Sequence, residues 1–309
     1  MTGELLFSQT KNPNRPDLSP SWTGNSQSDL AATLSWNHLT ETHDWFLDAK
    51  QFGDDFRADL GFLPQVGYRE YDANFGLRFF PTHGLRFVRP YTFLDRQEDL
   101  DGRTIFQRAT LGVTLIGPRN LQAQFEARPK EKVFVGESLL EQTYGTFFVQ
   151  FDPSRRFTRI SLQGRAGDSI DFANERVGRG ASVIAATTLR PFDRLTFDLQ
   201  ANREWLNADG GRVFTAQVER LKTTYSFSAK SLVRAIAQYV STERVPEQYG
   251  FHVNRHSGSF LGSVLYSYKL NWQTVLFVGY GDDRLLTAQN DLVRQDRSLF
   301  FKVSYALQR

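Results

Sequence analysis

His252 and His256 stand four residues apart in a loop-like stretch with Glu243 and Glu247 nearby, donors from which a metal site could be assembled. His38, His43 and His83 are scattered, and His83 falls in the tight Pro81–Gly84 turn. Loop histidines in this pattern are ordinarily just solvated, so no metal ligand is assigned. A serine hydrolase site would need a nucleophile elbow, and no Gly-x-Ser-x-Gly occurs. Neither a phosphate loop nor a dinucleotide fingerprint is present. With no cysteine there is no disulfide framework and no thiolate metal site. No catalytic, cofactor-binding or metal-binding residue is assigned, and the chain is read as not an enzyme.

The chemistry that remains lies in charged and amide side chains, and these recur at every second position. In Ala181–Trp205, Leu195, Phe197, Leu199 and Ala201 alternate with Thr196, Asp198, Gln200, Asn202 and Glu204. Side chains of a strand point to opposite faces in turn, so this is a strand with one apolar and one strongly polar side. Arg190-Pro191-Phe192-Asp193-Arg194 turns the chain between two such strands, each about ten residues long, enough to cross a bilayer when tilted. Tyr68–Phe80 repeats the pattern: Tyr71, Ala73, Phe75, Leu77 and Phe79 against Glu70, Asp72, Asn74, Gly76 and Arg78. So does Leu121–Arg128, and the unit recurs along the whole chain.

Composition agrees. Hydrophobic residues make up 40% of the 309, and no run approaches the roughly 18 apolar residues of a membrane helix. Spanning strands alternate and therefore read as polar on average. Aromatics reach 14%, with 27 Phe and 11 Tyr, as expected of an apolar outer band with interfacial girdles. The net charge of +3 is small and the arginines are spread evenly, which argues against a nucleic-acid partner. About sixteen strands can be counted. Short turns follow even-numbered strands, whereas the longest connections (Lys11–Ser28, Gly53–Gly67, Ser241–Ser257 and Asp282–Arg297) all follow odd-numbered ones. The expected fold is therefore an all-β, transmembrane, antiparallel up-and-down β-barrel with short periplasmic turns and longer extracellular loops. It is expected to occupy residues 1–309 as a single domain in the bacterial outer membrane. Its expected partners are outer-membrane lipid and, during insertion, the barrel assembly machinery. Since no signal peptide opens the chain, a longer exported protein is expected around it.

Asp55-Phe56, Gly61-Phe62-Leu63-Pro64 and the strand Tyr68–Phe80 together resemble a known pattern. They are similar to the C-terminal barrel of outer-membrane proteins that carry an N-terminal carbohydrate-binding-module family 9-like domain, a barrel of unknown function. Gln65 stands where that family usually has Arg, and Arg309 where an aromatic commonly ends such barrels. The resemblance implies a periplasmic N-terminal domain outside this chain and brings in saccharides as candidate cargo.

In a barrel the polar faces would line the lumen. The candidates are Asp48, Lys50, Glu70, Asp72 and Arg78; then Arg108, Gln122, Glu126, Arg128 and Arg165; then Asp198, Glu204, Glu219, Arg234, Lys269 and Lys302. Mixed signs suit ladders that brace the wall and give weak ion selectivity. The stretch 53–67 is too apolar for a free surface loop. Phe56, Arg57, Asp59 and Phe62 are expected to fold inward as a constriction. The functional expectation is a pore or an export or uptake conduit, with a plugged barrel anchoring a partner domain, or an outer-membrane hydrolase, as alternatives.

Overall fold

The computed structural model describes residues 1–20, 22–58, 63 and 65–306. These form sixteen strands: β1 (Thr2–Lys11), β2 (Ser26–Leu39), β3 (His43–Phe52), β4 (Tyr68–Leu77), β5 (Phe87–Asp99), β6 (Thr104–Ile116), β7 (Gln122–Val135), β8 (Ser138–Phe151), β9 (Phe157–Asp171), β10 (Arg176–Phe192), β11 (Leu195–Ala208), β12 (Gly211–Ser228), β13 (Ser231–Arg244), β14 (His256–Lys269), β15 (Thr274–Leu286) and β16 (Leu292–Tyr305). Their order in the sheet is their order in the chain, so the architecture is all-β, antiparallel and up-and-down. That is the strand order and count expected of a transmembrane barrel. The chain divides into two compact units, residues 1–114 with 126–143, and residues 115–125 with 144–309.

The faces follow from register. In the first unit Thr33 pairs with Lys50, Lys50 with Glu70, and Glu70 with Gln97, so alternation read within one strand continues across four. Leu34, Leu47, Tyr71 and Leu94 fall on the opposite face, and all are exposed. In the second unit Ser182, Glu204 and Ala216 share the polar-face row, while Thr187, Leu199 and Leu221 share the other. Hydrogen bonds of the ladder satisfy the backbone; the side chains then sort by face rather than into a central core.

On the apolar face of the first unit, the end of β2 and the start of β3 carry an aromatic cluster. Trp36 meets Trp45 edge-on at 4.8 Å, His38 stacks on Trp45 at 5.5 Å, and His43 lies 6.5 Å from Phe75. This cluster flanks the short 40–42 turn, where an interfacial girdle would lie.

Connections 12–25, 53–67 and 245–255 all follow odd-numbered strands, as expected. The fourth expected long loop is corrected: Asp282–Arg297 is mostly strand, and only 287–291 connects β15 to β16. Its polar composition misleads because Asp282 is neutralised in place by Arg284 at 2.7 Å and Arg294 at 3.3 Å. Ser241–Ser257 shortens likewise, since β13 runs on through Arg244 and β14 starts at His256.

Candidate functional site: the polar faces and the loops folded on them

In the first unit the chain leaves β3 at Gly53 and turns back over the polar face of β1 and β2. The Asp55 amide donates to Asp29 Oδ2 at 3.1 Å, and Gln27 Nε2 donates to Asp55 Oδ1 at 3.2 Å. The Arg57 amide donates to Ser8 Oγ at 2.9 Å, while its guanidinium reaches Asn12 Oδ1 at 2.9 Å and Gln27 Oε1 at 3.1 Å. Ser8 and Asp29 are register partners, so these acceptors share one face. Phe56 is buried, 5.7 Å from the Phe52 ring, and Phe52 stacks on Tyr68 at 5.6 Å. Residues 53–57 are thus an arm held by a polar grip on one side and an aromatic contact on the other. Asp59 and Phe62 of the expected constriction lie outside the described residues.

Gly53 is required by a close approach. A Cβ there would fall inside the Asp29 carboxylate, which itself holds the Asp55 amide. Gly53→Ala is therefore expected to unseat the arm and to cost about 1–3 kcal/mol, as overpacking does. Trypsin should cut after Arg57 faster in the variant than in the parent; equal rates would contradict the seat described.

The same face carries a dense ionic strip. Lys50 pairs with Glu70 at 2.8 Å, and Arg108 with Asp95 at 3.0 Å. Ser35 donates to Asp48. Glu126 accepts from Tyr91 at 2.6 Å and from Arg128 at 2.6 Å. Arg78 donates to the Thr40 carbonyl at 2.6 Å and stands 3.8 Å from Asp44, which Arg89 also binds. Asp44, Arg89, Asp95 and Tyr91 belong to this strip although alternation within single strands does not single them out. They lie on β3 and β5, where the register to β4 is needed to place them.

The second unit repeats the theme with other residues. Asp198 accepts from Lys222 at 2.9 Å and from Thr188 at 2.8 Å. The Arg165 guanidinium lies 3.6 Å over the Tyr144 ring and donates to the Asp168 carbonyl at 3.0 Å. Glu204 faces Ser182 in register; Arg234 lies beside Thr224, Lys269 beside Val275 and Lys302 beside Phe277, all on the polar face.

Glu219 is a correction. Register puts it between Ala201 and Tyr239, on the face of Leu199 and Leu221. There it is exposed beside a shallow apolar groove of about 790 Å³ that Leu162, Leu199, Leu221 and Phe260 help to line. β12 has polar residues on both faces (Thr215 and Gln217 against Arg220 and Lys222), so its own pattern carries no phase.

A second loop packs on its unit here, and nothing in its sequence announces it. Leu206, Ala208 and Val213 form a small buried cluster against which Phe214 and Tyr249 pack. Tyr249 belongs to 245–255, and burial pushes its phenol up. Arg176 fastens this loop: it pairs with Asp171 at 3.0 Å, with Asp209, and donates to the Gln248 carbonyl and to Gln248 Oε1 at 3.0 Å each. One guanidinium so ties the end of β9 to two separate connections. Arg176→Ala leaves the buried Asp171 carboxylate without its cation and is expected to cost about 3 kcal/mol. A fall in the temperature at which the folded band shifts on a gel would show it; an unchanged temperature would contradict it.

The histidines gather no catalytic set among the described residues. His256 faces Glu243 across the β13–β14 ladder, and His43 Nδ1 lies 3.1 Å from the hydroxyls of Thr40 and of Thr42. Among the described residues, the acidic groups close enough to share an ion are elsewhere: Glu70, Asp72 and Asp95.

No family model and no curated protein matches this chain. Among solved structures it is similar to the outer membrane channel DcaP of Acinetobacter baumannii, at 10% identity and a TM-score of 0.45, over 98% of this chain and 97% of that one. It is also similar to a bacterial polysaccharide outer membrane secretin, at 10% identity and a TM-score of 0.39, over 99% and 98% of the two chains.

Proposed function

We propose that this protein is an outer-membrane β-barrel that passes small polar solutes, narrowed by residues 53–57 folded against its polar inner wall. The contact that carries the reading is Arg57 held by Ser8, Asn12 and Gln27, because the strand residues among these lie on the face opposite the exposed apolar side chains. Two further features support it. Sixteen strands in up-and-down order with polar and apolar faces suit closure around an aqueous lumen. Exposed Leu34, Leu94, Leu162, Leu199, Val264 and Val278 would be an aggregation hazard in water and are at home against acyl chains.

On this reading the wall is braced by ion pairs of both signs, so the pore discriminates weakly by charge and mainly by size. Saccharides are taken as the first cargo class because of the family resemblance. Liposome swelling with neutral sugars of graded size tests the proposal. Uptake that falls with sugar size is expected. Vesicles that exclude even monosaccharides, with the protein folded in them, would favour the alternative of a plugged anchor.

A further inference from the structure

One arrangement on the polar face of β3, β4 and β5 is not needed for a passive pore. Register sets Asp48 beside Asp72 and Asp72 beside Asp95, so three aspartates stand side by side in a single row across three strands. Two residues along the strands, Glu70 lies between Lys50 and Gln97. Like charges directly opposite on a sheet repel, and four carboxylates are crowded here. That repulsion is answered incompletely: Lys50 takes Glu70, Arg108 takes Asp95, and the Ser35 hydroxyl donates to Asp48. Among the described residues, Asp72 has no ion-pair partner. Across the four carboxylates two negative charges are left over, on Asp48 and Asp72.

The geometry admits a single shared cation. Carboxylate oxygens of Glu70, Asp72 and Asp95 all lie within 4.8 Å of one another. Two oxygens on one Ca²⁺ can be as far apart as about 5 Å, since each bond is about 2.3–2.6 Å, and Ca²⁺ takes several carboxylates at once, whereas Mg²⁺ usually keeps most of its waters and takes one or two. An independent observation points to a ligand as well. Asp95 is only 7% exposed, and its Oδ1 is buried with no hydrogen-bond partner. A buried carboxylate oxygen without a donor is costly, whereas it is an ordinary ligand for a hard cation. We propose that Glu70, Asp72 and Asp95 form a Ca²⁺ site on the polar face, joining β4 to β5, with Lys50 and Arg108 trimming its charge. The site stands apart from the pore reading: it holds whether or not the lumen conducts.

The competing way to keep these carboxylates together is a shared proton, and titration with calcium separates the two. The full chain, purified in detergent and stripped with EDTA, is titrated calorimetrically with CaCl₂ and with MgCl₂ at pH 8. One saturable Ca²⁺ site is expected, with Mg²⁺ at least tenfold weaker, and Ca²⁺ should raise the temperature of the gel shift. Asp72→Asn should lose Ca²⁺ affinity by tenfold or more yet fold at least as well as the parent in EDTA, because it removes repulsion. Asp95→Asn gives a second variant should the first misfold. No saturable binding by the parent, or equal binding by parent and folded Asp72→Asn, would overturn the proposal; the latter would place the ion on lipid or elsewhere on the chain.

Discussion

Deleting residues 54–66 is expected to raise the unitary conductance of the reconstituted protein by about twofold or more, as the proposal that residues 53–57 narrow an otherwise wide barrel requires. Arg57→Ala should move conductance in the same direction by less. It removes charge-assisted bonds to Asn12 and Gln27, worth about 1.5–3 kcal/mol together with the desolvated acceptors, but leaves Phe56 against Phe52. The parent should also flicker less than Arg57→Ala, since its arm is tied at two places. The recordings that check this are made at one salt concentration, so that screening of the wall charges is constant. Equal conductance in all three proteins would mean that the arm does not narrow the path.

The second large effect is on assembly. Gly258 faces Ser241 in the β13–β14 ladder, and a Cβ there would fall inside the Val240 carbonyl and lie 3.0 Å from the Ser241 Cα. The obstacle is backbone, so no rotamer change relieves it. Gly258→Ala must push β13 and β14 apart or shift their register. A shift by one residue would exchange the faces of β14, turning Ser259 and Ser263 out and Phe260 and Tyr266 in. The expected result is loss of the heat-modifiable folded band on expression. A folded variant of parental stability would contradict the close approach. Gly84, with open space around it, is the matched control, and its substitution should be far milder apart from the strain of its positive φ.

Strand existence and order are legible in the sequence because alternation is local: Asp198, Gln200 and Glu204 announce their face without knowledge of any neighbour. Turn positions are legible for the same reason, as Pro, Gly and Asn mark them. Phase fails where a strand is polar on both sides, and so alternation alone puts Glu219 on the wrong face of β12. Loop length fails at Asp282, where ion pairs to Arg284 and Arg294 let a charged stretch stay in the ladder. The row of Asp48, Asp72 and Asp95 is out of reach. Asp48 and Asp72 each read as one more polar-face residue, Asp95 is not singled out by alternation, and only the register of three strands makes the three neighbours. Arg176 escapes notice because its partners Asp171, Asp209 and Gln248 come from separate segments of the chain.

The measurement that tests the central claim most directly is single-channel recording of the unaltered chain in a planar bilayer. Steady ohmic steps of uniform size, weakly selective and dependent on salt, are the result expected of a pore with a mixed-charge wall. Silence from folded protein, persisting when residues 54–66 are deleted, would contradict a conducting lumen and leave an anchor in its place.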